Sequence, residues 1–475
     1  MNFIIYDIVL LVLFAIFISL FLYTKKKNLK KEGLLFLYKT SWGIKLINYV
    51  GNKYKKSLKI LSYISIGLGY CLMVSMLYLF GKIIWLYVAY PAIVREIKIP
   101  PIMPLVPYLP QIFKLDFLPP FYFTYWIIIL AVIAITHEFA HGIFAAYNKI
   151  KVKTTGFGFF PFFLPVFLAA FVELDEEKMK KKNKFSQMAI LSAGTFANIL
   201  TAIFFFLVLW IFFSLAFTPS GIVFDTYSYS AVGISTISAV NTISFNNLSY
   251  EKLLDLVNET GMTDIQVAED NYVITKDLLK VQKNTEDYVI LYYDAPAINA
   301  GLTGAISEID GVKIDSIKKL TDELAKKSPM QEVVVTTISE DKSKNYKIIL
   351  GEHPENKNSP LLGIGFVNKK REGLMGKVYQ ALSSFKKPHV YYQPKFDGVS
   401  WFVYNLLWWI VLISVSVALV NMLPVGIFDG GRFFYLTVLA ITKSEKKAKN
   451  FFAFSTYFIL FLVLLLLVFW AVSFL

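Results

Sequence analysis

The segment FYFTYWIIILAVIAITHEFAHGIFAAY, residues 121–147, places two histidines and a glutamate at the end of a long apolar run. The twenty residues before His137 carry no charge, so the motif arises within or at the edge of a membrane-spanning helix. Ionisable side chains inside a span cost roughly 2.5–3.5 kcal/mol each on insertion scales, and they are functional by default. The segment therefore predicts a membrane protein with a functional site in one of its helices.

The remaining composition is also that of a membrane chain. Of the 475 residues, 56% are hydrophobic and 17% aromatic, and the mean hydropathy is +0.54. Crossing a hydrocarbon core takes roughly 17–25 apolar residues. The first apolar stretch lacks a basic n-region and a cleavage site, which favours a retained anchor over a signal peptide. We predict a polytopic α-helical membrane protein with about six transmembrane helices. The predicted spans are about 3–23, 60–90, 117–147, 186–217, 399–424 and 451–474.

The net charge of +14 would suit a nucleic-acid-binding protein, but the distribution of the charge does not. Residues 25–59 contain eleven lysines and one acidic residue, whereas residues 220–368 contain 13 lysines and 21 acidic residues. Short lysine-rich loops stay in the cytoplasm, although a polybasic loop could also attract anionic lipid. The predicted cytoplasmic segments are 25–59, 148–184 and 432–449, and the predicted outer segments are 96–120 and 220–397.

Two segments between the predicted spans lack regular periodicity. Residues 96–120 contain seven prolines, which predicts a stiff extracytoplasmic loop. Residues 152–172 are apolar but broken by two glycines and two prolines. Irregular backbone survives at membrane depth only where protein or a water-filled cavity shields it from lipid. We therefore predict a re-entrant extended loop, with a loop lying on the membrane surface as the alternative.

Residues 220–370 are polar and charged, with β-branched runs such as VVVTTI at 333–338. Their length is that of one ordinary domain, which predicts an inserted soluble α+β domain. Within it, residues 295–324 (APAINAGLTGAISEIDGVKIDSIKKLTDEL) resemble the middle of a PDZ domain. PDZ domains bind peptides by adding a strand to a sheet edge. Residues 221–258 resemble a degenerate fragment of such a unit, so a permuted or doubled PDZ-like unit is an alternative. The sequence leaves the fold of residues 221–290 open.

The HEFAH motif carries the chemistry. His137 and His141 lie one turn apart on one helical face, where both can bind a single Zn²⁺, and Glu138 can act on water as a general base. A polar cluster without metal is the alternative interpretation. Tetrahedral zinc needs a third protein ligand, and Asp429, the first charge after a long uncharged run, emerges at a matching depth. Its alternative role is a helix-end cap beside Arg432.

Three motifs in order then support a family resemblance. HEFAHG (137–142), AGTFAN (193–198) and, after the PDZ-like insertion, NMLPVGIFDGG (421–431) resemble the site-2 protease family of intramembrane metalloproteases. The layout is most similar to that of the archaeal members of this family.

This resemblance assigns roles to three residues. It implies that Asp429 is the third zinc ligand and that Asn421 contacts the substrate or the tetrahedral intermediate. Gly194 and Asn198 match the family's motif in the fourth span, where Asn198 has a structural or substrate-holding role. Phe428 stands where the family pattern has leucine, which is a mild departure at an apolar position.

The implied function is that of a zinc endopeptidase in the cell membrane, with its active site nearer the cytoplasmic face. Its partners would be membrane-protein substrates with transmembrane segments, the lipid bilayer and a peptide ligand at the PDZ-like domain, and no nucleic acid. A transporter and a catalytically inactive scaffold are the alternatives, but a transporter does not need the HExxH motif. The predicted organisation is two transmembrane helices with a lysine-rich cytoplasmic loop (1–95), the proline-rich loop (96–120), catalytic helices with the re-entrant loop (121–219), the PDZ-like domain (220–370), a linker (371–398) and C-terminal helices carrying the Asp ligand (399–475).

Overall fold

The structure, a computed structural model, divides into two compact units. Unit 1 comprises Met1–Phe212 and Trp401–Leu475, and unit 2 comprises Phe213–Ser400. The middle of the predicted re-entrant loop, 160–167, and much of the predicted linker lie outside the described residues. The described residues are 3–32, 35–97, 100–101, 103–115, 117–159, 168–282, 287–339, 342–353, 356–367, 373, 376, 380 and 383–472.

Long helices dominate unit 1, and short helices accompany the strands of unit 2. The helices are α1 Phe3–Thr24, α2 Ile44–Lys53, α3 Lys55–Ala89, α4 Pro91–Ile97, α5 Leu109–Ile112, α6 Phe123–Tyr147, α7 Glu176–Lys180, α8 Lys184–Ala216, α9 Tyr250–Leu256, α10 Lys276–Val281, α11 Pro296–Asn299, α12 Ile317–Leu324, α13 Asp397–Asn421, α14 Asp429–Thr442 and α15 Glu445–Val472. Within the described chain, six of them (α1, α3, α6, α8, α13 and α15) are long and apolar enough to cross a membrane. This agrees with the six predicted spans.

The strands form antiparallel sheets. They are β1 Leu29–Glu32, β2 Leu35–Thr40, β3 Val152–Phe159, β4 Leu168–Leu174, β5 Phe217–Ile222, β6 Thr226–Tyr227, β7 Tyr229–Gly233, β8 Ala239–Val240, β9 Ile243–Ser244, β10 Thr263–Val267, β11 Asp270–Ile274, β12 Tyr288–Tyr293, β13 Ala305–Ile309, β14 Val312–Lys313, β15 Glu332–Ser339, β16 Lys342–Ile349, β17 Gly351–His353, β18 Asn356–Leu361, β19 Ile364–Gly365 and β20 Val390–Pro394. Unit 1 holds the sheet β1-β2-β3-β4, and unit 2 holds the sheets β7-β12-β11-β10-β8-β9 and β16-β15-β13-β5-β20, with β14 beside β13 and the short pairs β17-β18 and β19-β6.

The lysine-rich segment between α1 and α3 is folded. Its strand β2 pairs with β3, residues 36–40 opposite residues 155–159, so the segment shares a sheet with the predicted re-entrant loop. Helix α2 packs on α6 and buries Ile47 against Gly142, where an added side chain would touch Ile47. The N-terminal segment therefore supports helix α6 directly.

We expect Ile47→Ala to lower the free energy of unfolding by about 2–5 kcal/mol, because it opens a cavity in a packed interface. Ile47 is 0% exposed, whereas its neighbour Leu46 is 53% exposed. The matched control, Leu46→Ala, should change stability by about 0.5 kcal/mol or less. Denaturant unfolding of both variants in detergent micelles measures the difference. Equal destabilisation would contradict the packing of α2 on α6.

Unit 2 contains two six-stranded sheets with separate cores. In the part that resembles a PDZ domain, α11 precedes β13 and α12 follows it, and buried and more exposed residues alternate along β15. Strands β7 to β12 form the other sheet around a core that includes Leu253, Ile274 and Leu291. Most of the region whose fold the sequence left open belongs to this second sheet. The PDZ-like identity of 295–324 stays a prediction.

Candidate metal centre

Helix α6 carries the HEFAH motif on its buried side. His137 and His141 are 8% and 9% exposed, and Glu138 between them is partly buried. Because the helix continues unbroken to Tyr147, the i, i+4 spacing puts the two imidazole rings side by side, with centroids 4.7 Å apart. The two rings are therefore presented on one face, as the sequence pattern predicts.

A tight turn between α13 and α14 brings Asp429 to the same place. Pro424 cannot continue α13, which ends at Asn421, and α14 begins at Asp429 itself. The turn packs so closely on Gly430 and Gly431 that a Cβ at either position would overlap its backbone. Glycine is therefore required at both positions, because the backbone of the turn comes too close for a side chain. This close packing fixes the position of the Asp429 backbone and so the region that its carboxylate can reach.

The three side chains converge on one point. His137 Nε2 and His141 Nε2 lie 3.0 Å apart, and Asp429 Oδ2 lies 3.3 Å from each of them. All three candidate ligand atoms lie within 4.8 Å of one another. Two imidazole nitrogens and one carboxylate oxygen, with a fourth position open, make the donor set of a catalytic zinc site.

The outer nitrogens of both rings have partners. His141 Nδ1–H donates to the carbonyl of Ile190, 2.7 Å away, which leaves Nε2 as an acceptor or ligand. Asn198 is 0% exposed, and its carboxamide nitrogen lies 3.1 Å from His137 Nδ1. The carboxamide oxygen of Asn198 is buried and finds no hydrogen-bond partner among the described residues.

A flip of the Asn198 carboxamide gives its oxygen a donor and moves the carboxamide nitrogen to the unpaired position. Oxygen and nitrogen exchange places in a flip, and the oxygen then accepts from Nδ1–H of His137. Nε2 of His137 is left unprotonated and faces His141 and Asp429, as a metal ligand must. In this orientation the unprotonated Nε2 atoms of both histidines face the carboxylate of Asp429, and this set of lone pairs fits Zn²⁺.

Gly194 of α8 lies against the imidazole rings of His137 and His141. A Cβ built on Gly194 would overlap atoms of both the His137 and the His141 rings. The space over the imidazoles is therefore kept free by the absence of a side chain, in a helix where alanine would otherwise be preferred.

Gly194→Ala should weaken zinc affinity by about ten- to a hundredfold, because the new methyl group pushes the two imidazoles away from the point where their Nε2 atoms and the Asp429 carboxylate converge. A competitive chelator titration measures the affinity. Gly81→Ala is the matched control, because Gly81 also lies in a membrane helix and a Cβ there meets nothing within 4 Å. Equal zinc affinity in the two variants would contradict this role for Gly194.

Glu138 faces a cavity of about 420 Å³ that His137, His141 and Asp429 also line. One carboxylate oxygen of Glu138 accepts a 2.9 Å hydrogen bond from the backbone N–H of Val172 in β4. Strand β4 is the last strand of its sheet among the described residues. The carboxylate is therefore held at the edge of an extended strand, beside the three converging side chains.

Asn421, the last residue of α13, lines the same cavity. It also lines a second, mainly apolar cavity of about 330 Å³ between α13 and the proline-rich segment. The structure thus brings five of the six predicted site residues to the cavity wall, while Asn198 lies behind His137.

A bidentate ion pair also borders the cavity. Arg432, in the first turn of α14, binds Glu176 of α7 through two hydrogen bonds of 3.0 and 2.7 Å. The Arg432 guanidinium lowers the pKa of the Glu176 carboxyl through these bonds. Nothing in the sequence pairs these two residues, which are far apart along the chain. The other two histidines, His353 and His389, both lie in unit 2.

A comparison with protein-family models gives a match over most of the chain. The family model described as peptidase family M50 matches residues 125–466, which is more than half of the chain and includes His137, His141 and Asp429. Among curated proteins, no match is found.

Proposed function

Since the chain belongs to peptidase family M50, whose members are zinc-dependent membrane proteases active in regulated intramembrane proteolysis, we propose that it hydrolyses peptide bonds within transmembrane segments of membrane-protein substrates. The convergence of His137, His141 and Asp429 beside Glu138, at the end of an apolar helix, is the observation that supports this function most. We also propose that its layout is that of the archaeal members, with a PDZ-like insertion.

In this proposal His137, His141 and Asp429 hold one Zn²⁺. When bound, zinc acts as a Lewis acid on the scissile carbonyl and makes water more acidic. Glu138 accepts the proton of the attacking water and later delivers it to the leaving amine, which is the usual work of a general base. Asn421 also lines the cavity and would donate a hydrogen bond to the developing oxyanion.

The substrate must be extended where it is cut. The amides of an intact transmembrane helix are engaged in i→i−4 hydrogen bonds, so we expect cleavage at segments that unwind easily because they contain glycine, proline or asparagine. Strand β4 could receive such a segment by strand addition. Its Val172 N–H, which bonds to Glu138, lies on the side of β4 away from β3.

The natural substrates can be sought by comparing membrane proteomes. Cells with the wild-type protein should accumulate cleaved fragments of certain membrane proteins, whereas cells with Glu138→Gln should accumulate the uncut forms. Identical proteomes, with the protein present in both and under conditions where purified wild-type protein cleaves a synthetic substrate, would contradict a role in membrane-protein cleavage in those cells.

We further propose that unit 2 lies outside the cell and acts as a size filter or binds an exposed peptide end. The lysine distribution supports this orientation. The alternative is that unit 2 is a brace, an element that only holds the membrane helices in place. Strand β5 follows α8 directly and pairs along its length with β20, which precedes α13, so the pair could simply hold the ends of two membrane helices together.

Deleting residues 217–394 and joining α8 to α13 with a flexible linker separates these roles, because β5 and β20, the two strands of the brace, are removed together with the domain. If the domain is a filter, cleavage of a short, pre-trimmed substrate should stay within about twofold, and discrimination against substrates with bulky outer domains should relax. A matched pair of long and short substrates gives the ratio. Equal loss of cleavage on both, with a lowered melting temperature, would favour the brace and refute the filter.

A further inference from the structure

Asp7 is a buried acid in the first membrane helix, α1, and its side chain is satisfied by a distant part of the chain. The residue is 1% exposed. Its Oδ2 accepts hydrogen bonds from the backbone N–H of Phe123 at 2.7 Å and from the hydroxyl of Tyr108 at 2.6 Å. Its Oδ1 accepts from the backbone N–H of Thr124 at 2.9 Å and also from the hydroxyl of Thr124.

Phe123 and Thr124 are the first two residues of α6, the helix that carries the HEFAH motif. The first N–H groups of a helix have no partner within it and need a cap. The residue before α6, Tyr122, supplies no side-chain cap. Asp7 therefore caps α6 from a different helix, and its negative charge meets the positive end of the helix dipole.

This arrangement does more than satisfy two N–H groups. A serine or aspartate at position 122 would cap α6 locally, without burying a charge contributed by another helix. Capping from α1 instead ties the start of α6 to α1, and Tyr108 ties the proline-rich segment to the same carboxylate. The axial height and rotation of α6 are thereby fixed at one end.

The position of the first turn of α6 determines where the HEFAH motif lies near the other end of the helix. His137 lies thirteen residues after Thr124, about 20 Å along a continuous helix. A slip of one residue along α6 would rotate the two histidines by about 100° away from Asp429. Displacements near 1 Å already suffice to slow an enzyme about a hundredfold.

We propose that Asp7 is a positioning residue, which sets the height and rotation of α6 and so aligns His137, Glu138 and His141 with Asp429. This role rests on the proposed function for its effect on turnover, but its effect on the geometry of the metal site does not need turnover. It makes the first helix part of the catalytic unit.

The test compares Asp7→Leu, Asp7→Asn and wild-type protein, as full chains in lipid nanodiscs. Ser19→Ala in the same helix is the control, because the Ser19 hydroxyl bonds only within α1. The readouts are the folded fraction, the visible absorption spectrum of the Co²⁺-substituted protein, and kcat and KM on a synthetic transmembrane peptide. Ser19→Ala should match the wild type in all of them.

For Asp7→Leu we expect a changed cobalt spectrum and a kcat per folded, metal-loaded molecule that falls about tenfold or more, with KM changed by about twofold or less. Asp7→Asn keeps one accepting oxygen, and its kcat should fall between those of Asp7→Leu and the wild type. An Asp7→Leu variant that merely loses folded protein, with an unaltered spectrum and kcat per folded molecule, would overturn the proposal.

If Asp7→Leu does not fold, the Asn variant decides. A cobalt spectrum and a kcat equal to those of the wild type would then overturn the positioning role, and a changed spectrum with a lower kcat would support it. A wild-type protein that binds Co²⁺ but cleaves nothing would refute the proposed function instead, and the spectra would still report on Asp7.

Discussion

Replacing Glu138 with glutamine should abolish nearly all turnover and leave zinc bound. Glutamine has almost the same shape and can keep the hydrogen bond from Val172 N–H through its amide oxygen. It cannot accept the proton of the attacking water, and general-base catalysis contributes about 10²–10⁴-fold to rate. We therefore expect kcat to fall by about that factor, measured on a synthetic transmembrane peptide, with the zinc content of the wild type.

Glu177→Gln is the matched control for this variant. Glu177 is an exposed acid near the site that does not line the cavity, so its loss should leave kcat within about twofold. Near-normal turnover in Glu138→Gln would remove Glu138 from the mechanism. Loss of zinc along with activity would instead assign Glu138 a role in holding the metal.

The double substitution His137→Ala/His141→Ala should eliminate tight zinc binding. It removes two of three protein ligands and leaves Asp429 alone, and a lone carboxylate does not hold zinc tightly. Wild-type protein should contain one zinc per chain, removed by a strong chelator together with activity, and the double variant should contain almost none. Metal analysis of protein purified without added zinc measures both.

His389→Ala is the control for metal content. His389 lies in unit 2, 3.2 Å from Asp225, and its loss should leave the zinc content unchanged. Full zinc occupancy in the His137/His141 double variant would refute this site as the metal centre. Loss of zinc in His389→Ala would show that a second region contributes to binding.

The sequence predicted the membrane class, the number of spans and the cluster of His137, His141 and Asp429. These predictions could be made from the sequence because membrane-spanning apolar runs have a characteristic length and because residues at i and i+4 lie on one face of a helix. The proximity of Asp429 to the two histidines could be inferred because it is the first charge after a long uncharged run, which places it at a similar membrane depth.

The groups that surround these residues could not be predicted from the sequence. The carbonyl of Ile190 and the N–H of Val172 are backbone groups, so no residue type marks their roles. Gly194 was noted only through a family motif, and the reason for glycine, the contact with the imidazole rings, needs three-dimensional coordinates. The partners of Asp7 lie more than a hundred residues away in the chain, where sequence periodicity gives no information.

The folding of the lysine-rich segment was also missed, for a physical reason. The lysines of this segment were used to predict its side of the membrane, but charge says little about local secondary structure. Strand β2 forms because it pairs with β3, more than a hundred residues later, and such pairing is non-local. The buried face of α2 becomes visible only once α6 is in place beside it.

The most direct test of the central claim is the cleavage of a synthetic transmembrane peptide by purified protein in lipid vesicles, followed by mass spectrometry of the products. The account predicts that wild-type protein cuts the peptide within its apolar segment and that a zinc chelator stops the reaction and added zinc restores it. It also predicts that Glu138→Gln forms product about 10²–10⁴-fold more slowly. A peptide that stays intact with fully zinc-loaded wild-type protein, or that is cut only in its polar flanks, would contradict it.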